Sequence, residues 1–335
     1  MTAPRISILL PVRNEERYLP AALDSLFRQT LPDWEVVAVN DGSTDGSAAI
    51  LDQAAGRDPR IRVIHAPPLG LVSALNAGLA ECRAPLVARM DGDDICHPRR
   101  LERQTAFLGT HPDVTLVASR VRHMPRQQMT DGMHAYEVWQ NSLLAHEEII
   151  RDLFVESPFV HPSVAFRREP VMQLGGYRDH GWPEDYDLWL RMARAGARFA
   201  RLPENLFYWR ERPERLTRTA RAYTLEAFRT CKAHHLRLDF LAGVDEVTLW
   251  GAGIEGKAWR RALLGEGIAV RRWLEVDPRK LGQIIHAAPV VGIDTLVAGD
   301  GKTLVTVGAK GARAQVRTFA SRAGLREWTD FLCVT

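Results

Sequence analysis

Short apolar runs rich in β-branched residues recur through the first 120 residues, and stretches with helical spacing lie between them. The strands this pattern predicts are RISILLPV (5–12), WEVVAVN (34–40), RIRVIHA (60–66), PLVARM (85–90) and VTLVASRV (114–121). The intervening segments place Leu19, Leu23, Leu26 and Phe27 on one helical face, followed by SAAILDQAA, LVSALNAGLAEC and RLERQTAFLG. Alternation of this kind predicts an α/β fold with a mixed, mainly parallel sheet and flanking helices. In such sheets ligands bind in the crevice at the carboxyl ends of the strands. Polar clusters follow three of those ends: RNEE after the first strand, DGSTDG after the second and DGDD after the fourth.

Beyond residue 122 the pattern loosens. A polar loop around PRQQMTDGM precedes a helical stretch, YEVWQNSLLAHEEIIRDLF, then a strand-like SVAFRR. A further helix is expected to begin near Pro183 to Asp185 and to end at Gly196, and a long helical pattern spans 215–241. From Val244 the alternation restarts with EVTLWG, GAGIEGKAW, IAVRRWLEVD, KTLVTVG and DFLCVT, a second βαβ unit of about 90 residues. The expected domains are therefore 1–243 and 244–335.

Composition narrows the class without naming it. With 46% hydrophobic and 25% charged residues in 335, the chain has the make-up of a globular protein with a substantial core. The net charge of +3 is small and dispersed, so no nucleic-acid partner is called for. Arginine supplies 39 of the 44 basic residues, which suits phosphate recognition. Cys82, Cys96, Cys231 and Cys333 are far apart and suggest neither a zinc site nor a disulfide framework, which fits a reducing cytoplasm. No apolar run approaches a membrane span, so any contact with the inner face of a membrane is expected to be peripheral. Oligomeric state is not set by the pattern.

DGDD places Asp91 and Asp93 either side of a glycine, an arrangement that can aim two carboxylates at one Mn²⁺ or Mg²⁺. An EF-hand loop ending at Glu102 is excluded, because Ile95 and Cys96 stand where an oxygen ligand and a glycine are needed. A solvated acidic turn capping the next helix is the competing explanation. For NDGSTDGS, Asp41 can accept a hydrogen bond from a nucleobase, or Ser43, Thr44 or Asp45 can simply cap a helix. Acidic residues after the first strand can reach a nucleoside or favour a helix dipole. Glu184, Asp185 and Asp187 open a helix, where they can cap it or supply a general base.

Taken together, ISILLPVRNEERYLPAALDSLFRQT, EVVAVNDGSTDGS, GLVSALNAGLA, LVARMDGDDICHPRRLERQTAFL, HPSVAFRRE, GGYRD and EDYDLWLRMA resemble a bacterial family 2 glycosyltransferase with a GT-A fold, collinearly over about residues 4–212. The resemblance implies inverting transfer of a sugar from a nucleoside diphosphate donor, most often a UDP-sugar, to a saccharide or lipid-linked acceptor in surface polysaccharide or glycolipid synthesis. It implies that Pro11, Arg13 and Glu15 line the nucleoside pocket, with Ser43 beside them, and that Asp41 holds the base. Asp91 would contact the ribose or metal, Asp93 would ligate Mn²⁺ or Mg²⁺, and Asp185 would be the catalytic base, with Glu184 the alternative. Arg210 stands where relatives place an arginine on a loop over the diphosphate, whereas Arg212 stands near a position that is histidine in many of them. His161, in the HPS segment, can serve the donor or acceptor or be a packed strand-end residue.

In the C-terminal unit Gly251, Gly253 and Gly256 lie between a strand and a helix, with Glu275 and Asp277 a little over 20 residues on, the spacing of a dinucleotide fingerprint. The segment also resembles a small Rossmann-like sugar-nucleotide-binding domain found ahead of some bacterial sugar acyltransferases, which implies a binding or docking module. These glycines let backbone approach a phosphate or let a helix pack closely on a strand. Competing functions are a sugar nucleotidyltransferase, disfavoured because VRNEE replaces the G-x-G-T-R-like loop it needs, an NAD-dependent oxidoreductase centred on 244–335, and a catalytically inactive sugar-nucleotide sensor.

Overall fold

A computed structural model describes residues 3–213, 215–309 and 311–335. Contacts divide the chain into two compact units. The first comprises residues up to Ile149, Pro158–His180 and Glu184–Thr219, and the second comprises Ile150–Ser157, Gly181–Pro183 and Ala220–Thr335. Residues 220–243, which the sequence pattern attaches to the first domain, group with the second.

The first unit is built on an eight-stranded sheet. Its strands are β1 (Ile6–Val12), β2 (Trp34–Asp41), β3 (Ile61–Ala66), β4 (Leu86–Arg89), β5 (Ile95–Cys96), β6 (Val114–Met124), β7 (Val164–Arg167) and β8 (Arg198–Arg210), in the order β3-β2-β1-β4-β7-β6-β8-β5. The β3, β2, β1 and β4 neighbours are parallel, as the alternating pattern requires, and β7 inserts antiparallel to both β4 and β6. Every residue of β1, β2 and β4 is buried, because helices cover both faces and leave no polar side for the sheet. The helix Leu71–Glu81 lies so close that a Cβ on Gly78 would fall 2.4 Å from Leu9 Cδ1 and 2.9 Å from Val39 Cγ2.

Three elements depart from the sequence expectation. Strand β8 continues for 13 residues beside β6 with three register shifts, so its alternation is too broken to read as one strand. The stretch expected as one helix after residue 135 is two, Asp131–Ser142 and His146–Arg151. The pattern 215–241 breaks into Leu216–Thr219, a 3₁₀ turn and Leu225–Leu238, the last capped by Thr224, whose Oγ1 accepts from Ala227 N at 3.2 Å.

Beneath the acidic turn a fully buried arginine ties helix to sheet. Arg100 Nε donates to Gln104 Oε1 (3.0 Å), and one terminal nitrogen donates to the carbonyls of Arg89 (2.8 Å) and Val164 (3.1 Å). Burial pushes its pKa down to about 10, so it is charged at neutral pH.

The second unit carries β9 (Glu246–Trp250), β10 (Ala269–Glu275), β11 (Ile284–Ile285), β12 (Ala288–Gly292), β13 (Thr303–Val305) and β14 (Phe331–Cys333) in the order β11-β12-β10-β9-β13-β14. All neighbours from β12 to β14 are parallel, and β11 is antiparallel to β12. Lys232, buried on the helix Leu225–Leu238, donates to the carbonyls of Val155 (2.7 Å) and Val334 (3.2 Å), which attaches that helix to the C-terminal strand region.

Replacing Arg100 by methionine leaves two buried carbonyls without their donor at about 1–3 kcal/mol each, so a loss of about 2–6 kcal/mol is expected in urea unfolding. A loss under 0.5 kcal/mol would show that Arg100 is not the tie described.

Candidate functional site

The site lies on the rim formed by the carboxyl ends of β1, β2 and β4 and the start of the helix Glu184–Arg194. Two loops make its first wall by hydrogen-bonding to each other. Asn14, in a left-handed conformation at φ 56°, accepts from Thr44 N (2.8 Å) and donates its own N–H to Ser43 Oγ (3.1 Å). Glu15 N donates to Ser47 Oγ (2.8 Å), and Glu16 Oε2 accepts from Gly46 N (2.7 Å). Asp41 is buried and accepts from Leu69 N (2.9 Å) and Gly70 N (3.1 Å), while Arg13 approaches its other oxygen at 3.3 Å. Gly42, at φ 61°, has no room for a Cβ, which would lie 2.7 Å from Pro68 Cδ. Pro11 is buried within β1, opposite Val39.

The second wall is the acidic turn, and it is not the solvated helix cap that one reading of the sequence allows. Asp93 and Asp94 are buried, the short strand β5 separates them from the next helix, and that helix, Arg100–Thr110, has Arg99 at its N-cap without a side-chain hydrogen bond. Each aspartate has its own partner. Arg89, itself buried, pairs with Asp91 at 2.7 Å. Arg212 Nε donates to Asp93 Oδ2 at 2.8 Å, and its terminal nitrogen pairs with Glu15. Asp94 Oδ1 accepts from Arg210 N (2.6 Å), whereas Asp94 Oδ2 is buried with no hydrogen-bond partner. Arg210 Nε donates to the Asp93 carbonyl (2.6 Å), and the guanidinium lies 4.5 Å from the Tyr18 ring centroid. Gly92 packs closely against Glu15, since a Cβ there would lie 3.3 Å from Glu15 Cγ.

One carboxylate oxygen from each of Asp91, Asp93 and Asp94 lies within 4.8 Å of the others, close enough for one cation. Packing so many acids together has the expected electrostatic cost. Burial and then the Asp93 charge push Glu15 up to about 7, against the pull of Arg212. Burial followed by the neighbouring aspartates raises Asp93 and Asp94. Burial also opposes ionisation of Asp91, but there the Arg89 guanidinium prevails and holds the carboxyl below its ordinary range.

The third wall is the start of the helix Glu184–Arg194, where three acids on one turn have three different surroundings. Asp187 is buried in an ion pair with Arg191 at 2.7 Å, and that arginine also donates to the carbonyls of Leu174 and Gly176, so Asp187 is a packing residue. Glu184 is buried 3.5 Å from His161 Nδ1, and His161 Nε2 lies 3.0 Å from the Tyr177 hydroxyl. Burial and then the charge of Arg89 depress the His161 pKa. A neutral ring satisfies both contacts when Nδ1 donates to Glu184 and Nε2 accepts from Tyr177. Asp185 is less deeply buried than either acid, with Oδ1 accepting from Tyr186 N at 2.7 Å. Burial and then the Glu184 charge push its pKa up to about 8. Tyr186 and Trp189 belong to the core.

Arg89 joins the last two walls electrically, since its charge acts on Asp91, Tyr177, Glu184 and Asp185. The sequence reading did not single it out, although an arginine inside the apolar run PLVARM was the available signal. The Glu15–Arg212–Asp93 bridge carries no local signal, because its members are almost 200 positions apart.

In the second unit the three glycines differ in function. Gly251, at φ 115°, makes the turn after β9, and a Cβ on Gly256 would lie 1.9 Å from the Gly251 carbonyl oxygen, so both serve close packing. Gly253 opens the helix Ile254–Gly265 with free space around it. Glu275 is engaged by Lys280 Nζ (2.8 Å) and Ala252 N (3.3 Å).

The fold is that of a mixed α/β protein with its candidate rim at the strand ends, and comparison with known proteins supplies the family. The model for glycosyl transferase family 2 matches residues 7–175, and the chain belongs to that family. It is 37% identical over 203 residues to the amylovoran biosynthesis glycosyltransferase AmsE of Erwinia amylovora, covering 60% of this chain and 74% of that one. Among solved structures it is similar to S. aureus TarS 1-349 in complex with UDP-GlcNAc, with a TM-score of 0.57 at 18% identity over 77% of this chain and 70% of TarS 1-349. It is also similar to the mannosyltransferase PcManGT of Pyrobaculum calidifontis in complex with GDP-Man and Mn²⁺, with a TM-score of 0.51 at 23% identity, covering 80% and 70% of the two chains. The protein is thus a glycosyltransferase whose first sheet has the GT-A type of fold. Among the described residues no helix is long and apolar enough to cross a membrane.

Glu184→Gln removes the like charge beside Asp185 and is expected to lower the Asp185 midpoint from about 8 by on the order of 1 unit, read by NMR of labelled aspartate carboxyls. An unmoved midpoint would mean that burial alone sets it.

Proposed function

We propose that the protein transfers a sugar with inversion from a nucleoside diphosphate donor, a UDP-sugar, to a hydroxyl of a saccharide or lipid-linked acceptor in surface polysaccharide or glycolipid assembly. The observation that carries this reading is the presence on one rim of two differently tuned acidic groups. Asp185 is a carboxyl whose pKa is raised into the working range of a general base, and Asp91, Asp93 and Asp94 form a compact cluster fit for a hard cation.

Asp93 and Asp91 would hold Mn²⁺ or Mg²⁺, and the partnerless buried oxygen of Asp94 fits a site that calls for positive charge. When bound, such an ion neutralises charge on the departing diphosphate. The protein's own groups do the rest. Pro11, Arg13, Glu15, Asp41 and Ser43 form the nucleoside wall, and its mutual hydrogen bonds support a pocket formed before the donor arrives. Arg210 steadies the acidic turn through the Asp93 carbonyl and Asp94. Asp185 takes the proton of the acceptor hydroxyl at Oδ2, since Oδ1 is held by Tyr186 N. Glu184, the alternative base, is anchored beside His161 and keeps its neighbour basic. One base and one charge-neutralising site suffice for direct displacement, without a covalent nucleophile.

The second unit serves this reading as a Rossmann-like binding or docking module. Gly253 leaves its helix start open to an anionic group, while Lys280 already engages Glu275, the acid that a dinucleotide site would offer to a ribose.

Asp185→Asn is expected to lower transfer by about 10²–10⁴-fold while leaving UDP affinity unchanged in calorimetry. A base works deprotonated, so with Asp185 raised to about 8 the free protein's kcat/KM rises with pH and levels off above that value. A flat profile between pH 6 and 9 would remove Asp185 from the role. UDP binding tightens with Mn²⁺, and Asp93→Asn abolishes that enhancement. Full retention of it would overturn the metal assignment.

A further inference from the structure

Arg212 bridges two members of the acidic rim. Its guanidinium spans two carboxylates from distant parts of the chain, Asp93 at 2.8 Å and Glu15 through the other nitrogen, and is only 19% exposed. The backbone that carries it is fixed immediately upstream. Arg210 N donates to Asp94 Oδ1 (2.6 Å), and Glu211 N donates to the Met124 carbonyl (2.8 Å). Arg212 therefore leaves the carboxylates by rotating its own side chain, not by withdrawal of the strand end. Asp94 Oδ2, in a residue 1% exposed, is still without a hydrogen-bond partner, so the guanidinium satisfies only part of the cluster.

We propose that Arg212 is an internal cation that holds the Asp93 and Glu15 carboxylates until the donor arrives, so that a divalent ion alone is excluded and is admitted only with a nucleoside diphosphate. The inference rests on the metal reading above. A divalent ion bound at Asp93 Oδ2 would sit against a guanidinium hydrogen-bonded to the same atom, and like charges at that separation in a half-buried site repel strongly. A diphosphate changes the balance because it offers the displaced guanidinium a new anionic partner within the reach of its side chain. Metal and nucleotide then bind with positive coupling, each raising the affinity of the other by the same factor. Arg212 is in this sense a positioning residue that sets the order of loading.

The test measures free Mn²⁺ by electron paramagnetic resonance while the full-length protein is titrated, with and without UDP. Wild type is expected to bind Mn²⁺ weakly alone and at least tenfold more tightly with UDP. Arg212→Ala is expected to bind Mn²⁺ alone at least tenfold more tightly than wild type and to lose most of the coupling to UDP. Arg212→Lys, which keeps a cation and a donor in place, is expected to retain the block. Thermal melting of both variants without metal confirms that each is folded. Equal Mn²⁺ affinity of folded Arg212→Ala and wild type without UDP overturns the role of Arg212 and leaves the metal reading standing. Absence of Mn²⁺ binding to wild type even with saturating UDP overturns the metal reading, and the proposal with it.

Discussion

Four acidic side chains, Glu15, Asp91, Asp93 and Asp94, share one partly buried rim, and the first unit has to be organised so that this concentration of negative charge is tolerated. Three arginines contact this rim directly, each in a different way. Arg89 comes from inside the sheet and neutralises Asp91, Arg210 secures the backbone of the turn, and Arg212 bridges to Glu15. Below them Arg100 uses its Nε and one terminal nitrogen on the scaffold. Burial alone would protonate such a cluster, and burial with arginine partners leaves it poised.

The same rim separates rigid from adjustable surfaces. The wall between the loops after β1 and β2 is a closed set of hydrogen bonds, completed by the grip of Asp41 on the backbone at residues 69 and 70. The acidic wall is held by long side chains that can exchange partners. Shape can therefore be set on the hydrogen-bonded side while charge is redistributed on the other. The helix Glu184–Arg194 adds a third kind of control, since one turn of sequence gives one acid to packing, one to a histidine and one to the rim.

The parallel half of the sheet was legible because its signals are local: apolar runs at strand spacing, helical faces between them, and polar clusters at strand ends. The carboxylates of the candidate site were legible for the same reason, since each cluster is contiguous in sequence. What could not be read is what depends on distant residues. Strand β8 is disguised by its register shifts against β6, and the acidic turn looks like a helix cap until β5 is seen to intervene. Asp187 is indistinguishable from Asp185 in sequence, and only the salt bridge to Arg191 separates them. Arg89 was visible as a charge in an apolar run, but its partners were not.

The left-handed turn at Asn14 has a consequence for how this surface can change over time. Its side chain and its backbone serve two residues of a different loop, at a conformation few side chains tolerate. Substitution there would loosen two loops at once, and a change at Ser43 or Thr44 would in turn release Asn14. The braced pair of loops is therefore expected to vary as a block or not at all. Changes in what this rim recognises would more readily arise from positions outside this mutual brace, which makes the braced loops the slowest part of the surface to drift.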